Sequence, residues 1–318
     1  MSERLLVTGA SGFIGRHTLP YLERQGFEIH AVCRTPPTSG AAAAPDSSLT
    51  WHAADLLRPG TPSDLVDALR PTHLLHLAWE ATPGRFWQSP DNERWRVASG
   101  ELLRAFLAHD GRRVVMTGSG AEYDWRVGRC DERTTPLRPT TLYSRSKDAL
   151  RRELERLAGA ARVGSGASWA WARLFWQFGP GEAPGRLVPS VIGALLEGRE
   201  AECSAGLQRR DFLYVDDVGR ALAMLLHSEV EGCVNIGSGE AIAVGELARM
   251  IGAAMGAPDA IRLGALEGPA DEAPLVVAAT ERLRSEVGFA PSWTLDRAIE
   301  ATIEAMRAER ARRETNEA

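Results

Sequence analysis

Short apolar runs that end in glycine alternate with amphipathic stretches from the start of the chain. Residues 4–9 (RLLVTG) read as a strand, 13–26 (FIGRHTLPYLERQG) carry apolar positions at helical spacing, and 27–34 (FEIHAVCR) alternate as a strand does. Together they predict a β-α-β unit. The rhythm continues through 72–79 (THLLHLAW), a helix over 94–110, 112–120 (RRVVMTGSG), a helix over 142–158 and a strand run over 167–179. Such alternation predicts an α/β fold, a doubly wound parallel sheet with helices on both faces.

Beyond 180 the rhythm loosens. The sequence gives a helix at 186–198, a strand-like RRDFLYV at 209–215, a helix from Asp217, the strand GCVNIG at 232–237, a helix at 244–256 and a charged helix at 295–314. The expected organisation is a doubly wound domain over 1–180, with returns to its sheet near 210–240, and a smaller mixed α/β lobe over 181–318. Residues 34–48 and 159–168 read as connecting loops.

Composition narrows the function. The 318 residues are 44% hydrophobic and 25% charged, enough for one large domain plus a lobe, and the net charge is -5 with the cations dispersed. A nucleic-acid partner is therefore not expected, and any anionic ligand is gripped locally. Cys33, Cys130, Cys203 and Cys233 lie far apart with no paired spacing, so they read as reduced thiols and no metal site is expected. There is no basic-then-apolar leader and no apolar run near 18 residues, which predicts a cytoplasmic protein without membrane contact.

The turn after the first strand, TGASGFIG, carries Gly9, Gly12 and Gly15. Glycines there let backbone N–H groups approach a pyrophosphate, and the helix N-terminus favours its charge. Gly9, Ser11, Gly12, Phe13 and Ile14 are thus candidate cofactor contacts. The spacing T-G-x-x-G-x-x-G resembles the short-chain dehydrogenase/reductase superfamily. Further stretches are similar to its extended branch, the NAD-dependent epimerase/dehydratase family that modifies nucleotide sugars: DL at 55–56, HLA at 76–78, Tyr143 followed by Lys147, FGPG at 178–181, RLVP at 186–189, RDFLYVDDV at 210–218 and NIGSGE at 235–240.

That resemblance implies a Rossmann-type domain, a nucleotide-sugar substrate, and a homodimer formed through the helices at 94–110 and 142–158. It places Asp55 and Leu56 by the adenine, although Asp55 reads equally as a turn or cap residue, and adds Leu77 and Ala78 to the cofactor contacts. At the end of the second strand Arg34 stands where an acid would bind a ribose hydroxyl. A guanidinium suits a 2′-phosphate, so NADP(H) is preferred, with NAD(H) as the alternative.

The resemblance also assigns the reacting centre to Ser119, Tyr143 and Lys147, with Thr117 a competitor for the hydroxyl role. At i and i+4 the tyrosine and lysine share one helical face. A free phenol titrates near 10, and a nearby ammonium is expected to draw Tyr143 towards neutral pH while also holding the nicotinamide ribose. Lys147 and Tyr143 therefore count as cofactor contacts too. Glu122 and Tyr123 either touch substrate or pack.

Dehydratases of the family place Asp and Glu directly after the catalytic hydroxyl; here Gly120 and Ala121 stand there, and Glu122 is expected on the far side of an extended strand. With Arg34, this favours NADPH-dependent reduction of a keto group, at C4, on a nucleotide-linked deoxy sugar. The alternatives are a 4-epimerase retaining NAD and, from another class, a non-catalytic NADP-binding redox sensor. For substrate, the resemblance points Arg210 at the diphosphate and sets Arg186, Leu187 and Val188 beside the nucleotide. Trp176 replaces the family's asparagine, Gly268 its late arginine and Val97 its helical asparagine. Trp79, Trp87, Trp95 and Trp125, with Glu80 and Arg85, are candidate cleft residues or packing.

Overall fold

The computed structural model describes residues 3–37, 48–161, 166–268 and 272–317. Most of the 34–48 loop and the middle of the 159–168 connection lie outside them. The first half holds β1 (Arg4–Thr8), α1 (Phe13–Glu23), β2 (Glu28–Cys33), β3 (Leu49–Ala53), α2 (Thr61–Leu69), β4 (His73–His76), α3 (Asp91–Ala108), β5 (Arg113–Ser119), the short β6 (Arg129–Cys130) and α4 (Leu142–Ala161). The second half holds β7 (Ser168–Leu174), β8 (Trp176–Phe178), α5 (Leu187–Leu196), β9 (Ala201–Cys203), β10 (Arg209–Arg210), β11 (Phe212–Tyr214), α6 (Val215–His227) and β12 (Gly232–Ile236). It closes with β13 (Ile242–Ala243), α7 (Val244–Ala254), β14 (Ile261–Leu263), β15 (Leu275–Ala278), α8 (Glu281–Ser285) and α9 (Leu295–Glu317).

The seven-stranded sheet runs β12-β7-β5-β4-β1-β2-β3, and every pairing in it is parallel. Its inner strands are near-continuous apolar runs because both faces are covered. One face packs Leu19 and Leu22 of α1 with Val218, Leu222 and Leu225 of α6; the other packs Val66 of α2, Leu102 and Phe106 of α3 and Leu150 and Leu154 of α4. The strand order turns back between β1 and β4, which opens a crevice at the strands' carboxyl ends. This is the doubly wound Rossmann-type fold expected.

The remaining strands form a mixed sheet, β13-β10-β15-β6, and two pairs, β11-β8 and β14-β9. Around them α5, α7 and α9 enclose a separate core of Val188, Ile192, Leu247, Ile251 and Ile299. Three features depart from the sequence pattern. β3 and α2 were not foreseen: β3 is a half-buried edge strand, LTWHA, and α2 is a nine-residue helix with Pro62 in its first turn. The run 167–179 breaks at Phe175, whose N–H bonds Ile236 O at 3.1 Å, so its end leaves the main sheet to pair with β11. α6 begins at Val215 rather than Asp217, and the buried Asp217 carboxylate accepts from Ser292 N and Trp293 N (2.9 and 3.1 Å) while pairing with Arg220 at 2.8 Å.

α6 crosses α1 at Gly219, where a Cβ would stand 2.4 Å from the backbone oxygen of His17. Gly219→Ala is expected to lower stability by about 1–3 kcal/mol, read from thermal unfolding, because two backbones must separate to admit a methyl group.

Candidate functional site

The crevice begins at the glycine turn. Gly9 adopts φ +69°, and a Cβ there would lie 2.7 Å from Ala78 N; one on Gly15 would lie 2.3 Å from Gly9 O. Both positions exclude larger residues, and they press the turn between β1 and β4. α1 starts with Gly12 as its N-cap and no side chain bonded to its first-turn N–H groups, while Ser11 and Gly12 are exposed. Uncapped amides beside exposed glycine fit a pyrophosphate. Phe13 and Ile14 are half-buried, Leu77 N donates to Thr8 O at 3.1 Å, and Ala78 is buried beneath the turn. Arg34 is exposed just past β2. Asp55 closes its own turn by accepting from Leu57 N at 3.0 Å, and Leu56 is buried. The residues fit a dinucleotide, with a cation where the ribose acid would be.

β5 and the first turns of α4 bring Ser119, Tyr143 and Lys147 together. The Ser119 hydroxyl hydrogen-bonds the Tyr143 phenol, which burial nonetheless pushes up to about 12. The drop expected from Lys147 does not occur in this arrangement. The ammonium lies 6.0 Å from the phenol ring centroid and is turned elsewhere: Nζ donates to Thr117 O at 2.8 Å and sits 3.8 Å from the centroid of Trp79. Lys147 is 2% exposed, and burial brings it down to about 7. Thr117 thus contributes its carbonyl to the lysine, while its hydroxyl donates to His76 O at 3.2 Å.

Glu122 is not on an extended strand. Residues 120–122 form a single 3-10 turn, which folds the carboxylate back into the protein. Fully buried, it accepts from Ser119 N at 2.8 Å, Trp171 Nε1 at 3.0 Å and Arg173 Nε at 2.8 Å. Arg173 also donates to the Tyr123 hydroxyl at 2.9 Å, and that hydroxyl donates to Asn235 Oδ1 at 2.8 Å. So the polar groups of Glu122 and Tyr123 are bonded within the protein, and Tyr123 also borders the cleft beside this centre. Gly118 permits the closeness, since a Cβ there would stand 2.0 Å from Trp171 Nε1 and 2.4 Å from Glu122 Oε1.

A cleft of about 590 Å³ opens beside this centre, lined by Trp87, Ala121, Trp125, Arg138, Thr141 and Ser144 among others. Its wall is made by the neighbours of Ser119 and Tyr143, with the Tyr143 ring behind Phe86 and Trp87 at 4.9 and 5.7 Å between centroids. Trp176 meets Trp125 at 5.6 Å, and the Arg210 guanidinium lies 5.2 Å from the Trp176 ring.

Several candidate substrate residues are held by the protein itself. Arg210, 2% exposed, donates to Arg209 O and Ala273 O and pairs with Glu272 at 2.7 Å. Val188 is buried in the lobe core beside the half-buried Leu187. Glu80 closes a local turn by accepting from Thr82 N at 2.8 Å. Arg186 instead reaches the reacting centre, 5.1 Å from the Phe86 ring, where its charge partly offsets the effect of burial on Tyr143. Val97 is 51% exposed, whereas Trp95, also on α3, stacks on Trp79 at 6.3 Å and 28°. Gly268 borders a second cleft with Glu272 and Leu266. Among the described residues no cluster of three metal-ligating side chains occurs and no helix is long and apolar enough to cross a membrane; all four cysteines are free thiols.

One residue that motif reading passed over matters here: Asn92, whose side-chain oxygen accepts from Trp79 Nε1 at 2.8 Å. One signal was available in composition. Lys147 is the sole lysine of the chain, against 36 arginines among 37 cationic side chains. Arginine cannot serve there, because it does not deprotonate and its planar fork is larger than an ammonium.

The Lys147 proton makes stability depend on pH. The unfolded chain holds it up to about pH 10.5, the folded protein only to about 7, so stability from this group rises with pH across that window and is lost as pH falls through it. Tyr143 titrates above the window in the folded state. Thermal unfolding of Lys147→Met should therefore gain on the parent as pH drops from 10 to 7, by about 3–4 kcal/mol. Glu122→Ala should cost about 3–5 kcal/mol in denaturant unfolding by stranding the Arg173 charge, whereas loss of a surface pair costs under about 1.

Known proteins are similar to this chain along most of its length. A UDP-glucose 4-epimerase of Halalkalibacterium halodurans is 24% identical over 91% of this chain and 91% of its own length. A dTDP-4-dehydro-6-deoxy-D-allose reductase of Streptomyces bikiniensis is 28% identical over 81% and 83%. The solved structure of the UDP-glucose 4-epimerase of Thermus thermophilus, in complex with NAD, covers 96% of this chain and 99% of that one with a TM-score of 0.82 at 25% identity. With residues 5–237 matching the family as a whole, the protein belongs to the NAD dependent epimerase/dehydratase family.

Proposed function

We propose that this protein reduces a keto group, at C4, of a nucleotide-linked deoxy sugar with NADPH, and that Ser119, Tyr143 and Lys147 are its reacting groups. The observation that carries the direction of reaction is Arg34, exposed at the end of β2 with no acid beside it in the sequence AVCRT. The absence of an acid pair at Gly120 and Ala121 weighs against dehydration, and a 4-keto sugar reductase among the relatives supports the reading.

When bound, NADPH supplies the hydride. The chain supplies the proton and the geometry. Tyr143, raised to about 12, stays protonated at working pH and gives its proton to the former carbonyl oxygen. Ser119, already hydrogen-bonded to the phenol, orients that oxygen and stabilises its developing charge. Lys147, near neutrality, can return a proton to the site between turnovers. Arg34 and the glycine turn hold the dinucleotide, while Trp125, with Trp176 against it, forms one side of the sugar cleft. A 4-epimerase that retains NAD is the second reading, favoured by the H. halodurans relative. Pairing of two copies through α3 and α4 completes the proposal.

Purified protein offered a panel of nucleotide 4-keto-6-deoxy sugars should consume NADPH; conversion of a UDP-hexose to its 4-epimer with no NADPH consumed would overturn the reductase reading in favour of the second. Tyr143→Phe should lower kcat by about 10²–10⁴-fold with little change in NADPH affinity. Arg34→Asp should cut kcat/KM for NADPH by at least about tenfold while leaving NADH unaffected or improved, and equal loss with both cofactors would dismiss Arg34 as the 2′-phosphate contact.

A further inference from the structure

The ammonium of Lys147 is buried without an ion-pair partner: among the described residues no carboxylate lies within 4.0 Å of it. What it has is one carbonyl, Thr117 O at 2.8 Å, and the face of one indole, Trp79 at 3.8 Å. A desolvated cation over an indole is the strongest form of that contact. The indole is itself anchored. Trp79 Nε1 donates to Asn92 Oδ1 at 2.8 Å, and Asn92, 1% exposed, spends its amide hydrogens on Phe86 O at 2.6 Å and Ser89 O at 2.9 Å. Those carbonyls belong to the loop that encloses Tyr143: Phe86 and Trp87 meet its ring edge to face, and Trp87 O accepts from Tyr143 N at 3.0 Å.

We propose that Trp79 and Asn92 are positioning residues for the reacting pair: the Trp79 face holds the Lys147 ammonium against Thr117 O, and Asn92 fixes that indole and the loop around Tyr143 as one unit. The assignment rests on the function proposed above only in placing Lys147 at the reacting centre. An aliphatic residue at 79 would fill space without offering a negative face, and a smaller residue at 92 would free the ring to turn. The titratable groups facing Lys147 are His76 on β4, Glu122 after β5 and Tyr143 one turn earlier on α4. His76 is neutral, held down to about 3 by burial between Thr8 Oγ1 and Ser99 Oγ, and Glu122 is committed to Arg173. Neither supplies what the indole supplies.

A chain with one lysine makes the test direct. Protein carrying ¹³C-lysine gives a single side-chain Cε signal, whose titration midpoint is followed by NMR in three samples: natural tryptophan, 5-fluorotryptophan and 5,6,7-trifluorotryptophan. Fluorination keeps the ring's shape and drains its face. The expected result is a stepwise fall of the midpoint, by about half a pH unit or more with three fluorines, since the cation loses its partner while burial is unchanged. An unchanged midpoint across the three samples overturns the role of Trp79. In Asn92→Leu the fluorine effect should shrink to less than half, and kcat for the keto sugar should fall by at least about tenfold with KM for NADPH kept within about twofold. A fluorine effect of undiminished size in Asn92→Leu overturns the role of Asn92, whatever that variant does to stability. Should the protein reduce no keto sugar yet show the fluorine shift, the reductase reading falls and this one stands; a working reductase without the shift gives the reverse.

Discussion

The Glu122–Arg173 ion pair, sealed from solvent, is the constraint on which the rest of the site depends. Two buried charges are costly to place in a protein interior and are tolerated when every remaining donor and acceptor is met. Here the demand for partners does the organising. Glu122 takes the Ser119 N–H and so fixes where β5 stops; it takes the Trp171 indole and so ties β5 to β7. From Arg173 the chain of hydrogen bonds passes through the Tyr123 hydroxyl to Asn235 on β12, whose amide then reaches Cys130 O and Ala279 O at 2.8 and 3.1 Å. The nucleotide sheet and the mixed sheet that flanks the cleft are thereby joined by one polar network, with the Ser119 hydroxyl at its edge.

On the other side of Tyr143 the materials are different. Phe86, Trp87, Trp79 and Trp95 surround the tyrosine and lysine with rings, and polar control comes from the Asn92 amide. The reacting pair thus sits between a charged, rigid back and an aromatic front. That contrast explains the opposite displacement of its two groups: burial among rings favours the neutral form of each, raising the phenol and lowering the ammonium together.

Sequence made the frame visible and hid the grips. The β-α-β opening, the glycine turn and the i to i+4 tyrosine and lysine are local, and local patterns survive in one dimension. The edge strand β3 was missed because it is half-buried and short, and the split at Phe175 was missed because the apolar run continues while its pairing partner changes from β5 to β11. Gly9 and Ser11 stand in the turn after β1 and Arg34 just past β2, as the strand pattern predicts, whereas Arg210, a standard-looking surface cation in sequence, is enclosed by Glu272 and two carbonyls that are distant or unremarkable along the chain. Lys147 was legible twice, by its motif and by being alone of its kind, but its contact with Trp79, far earlier in the chain, belongs to the fold.

That solitude reaches beyond the reaction. Apart from the chain terminus, an acylating reagent, an aldehyde or an amine-seeking crosslinker has one group to attack in this protein, and that group is shut behind an indole. The rate of amine labelling of the native fold therefore reports how readily the wall around Lys147 opens, a measure of local unfolding confined to one side chain.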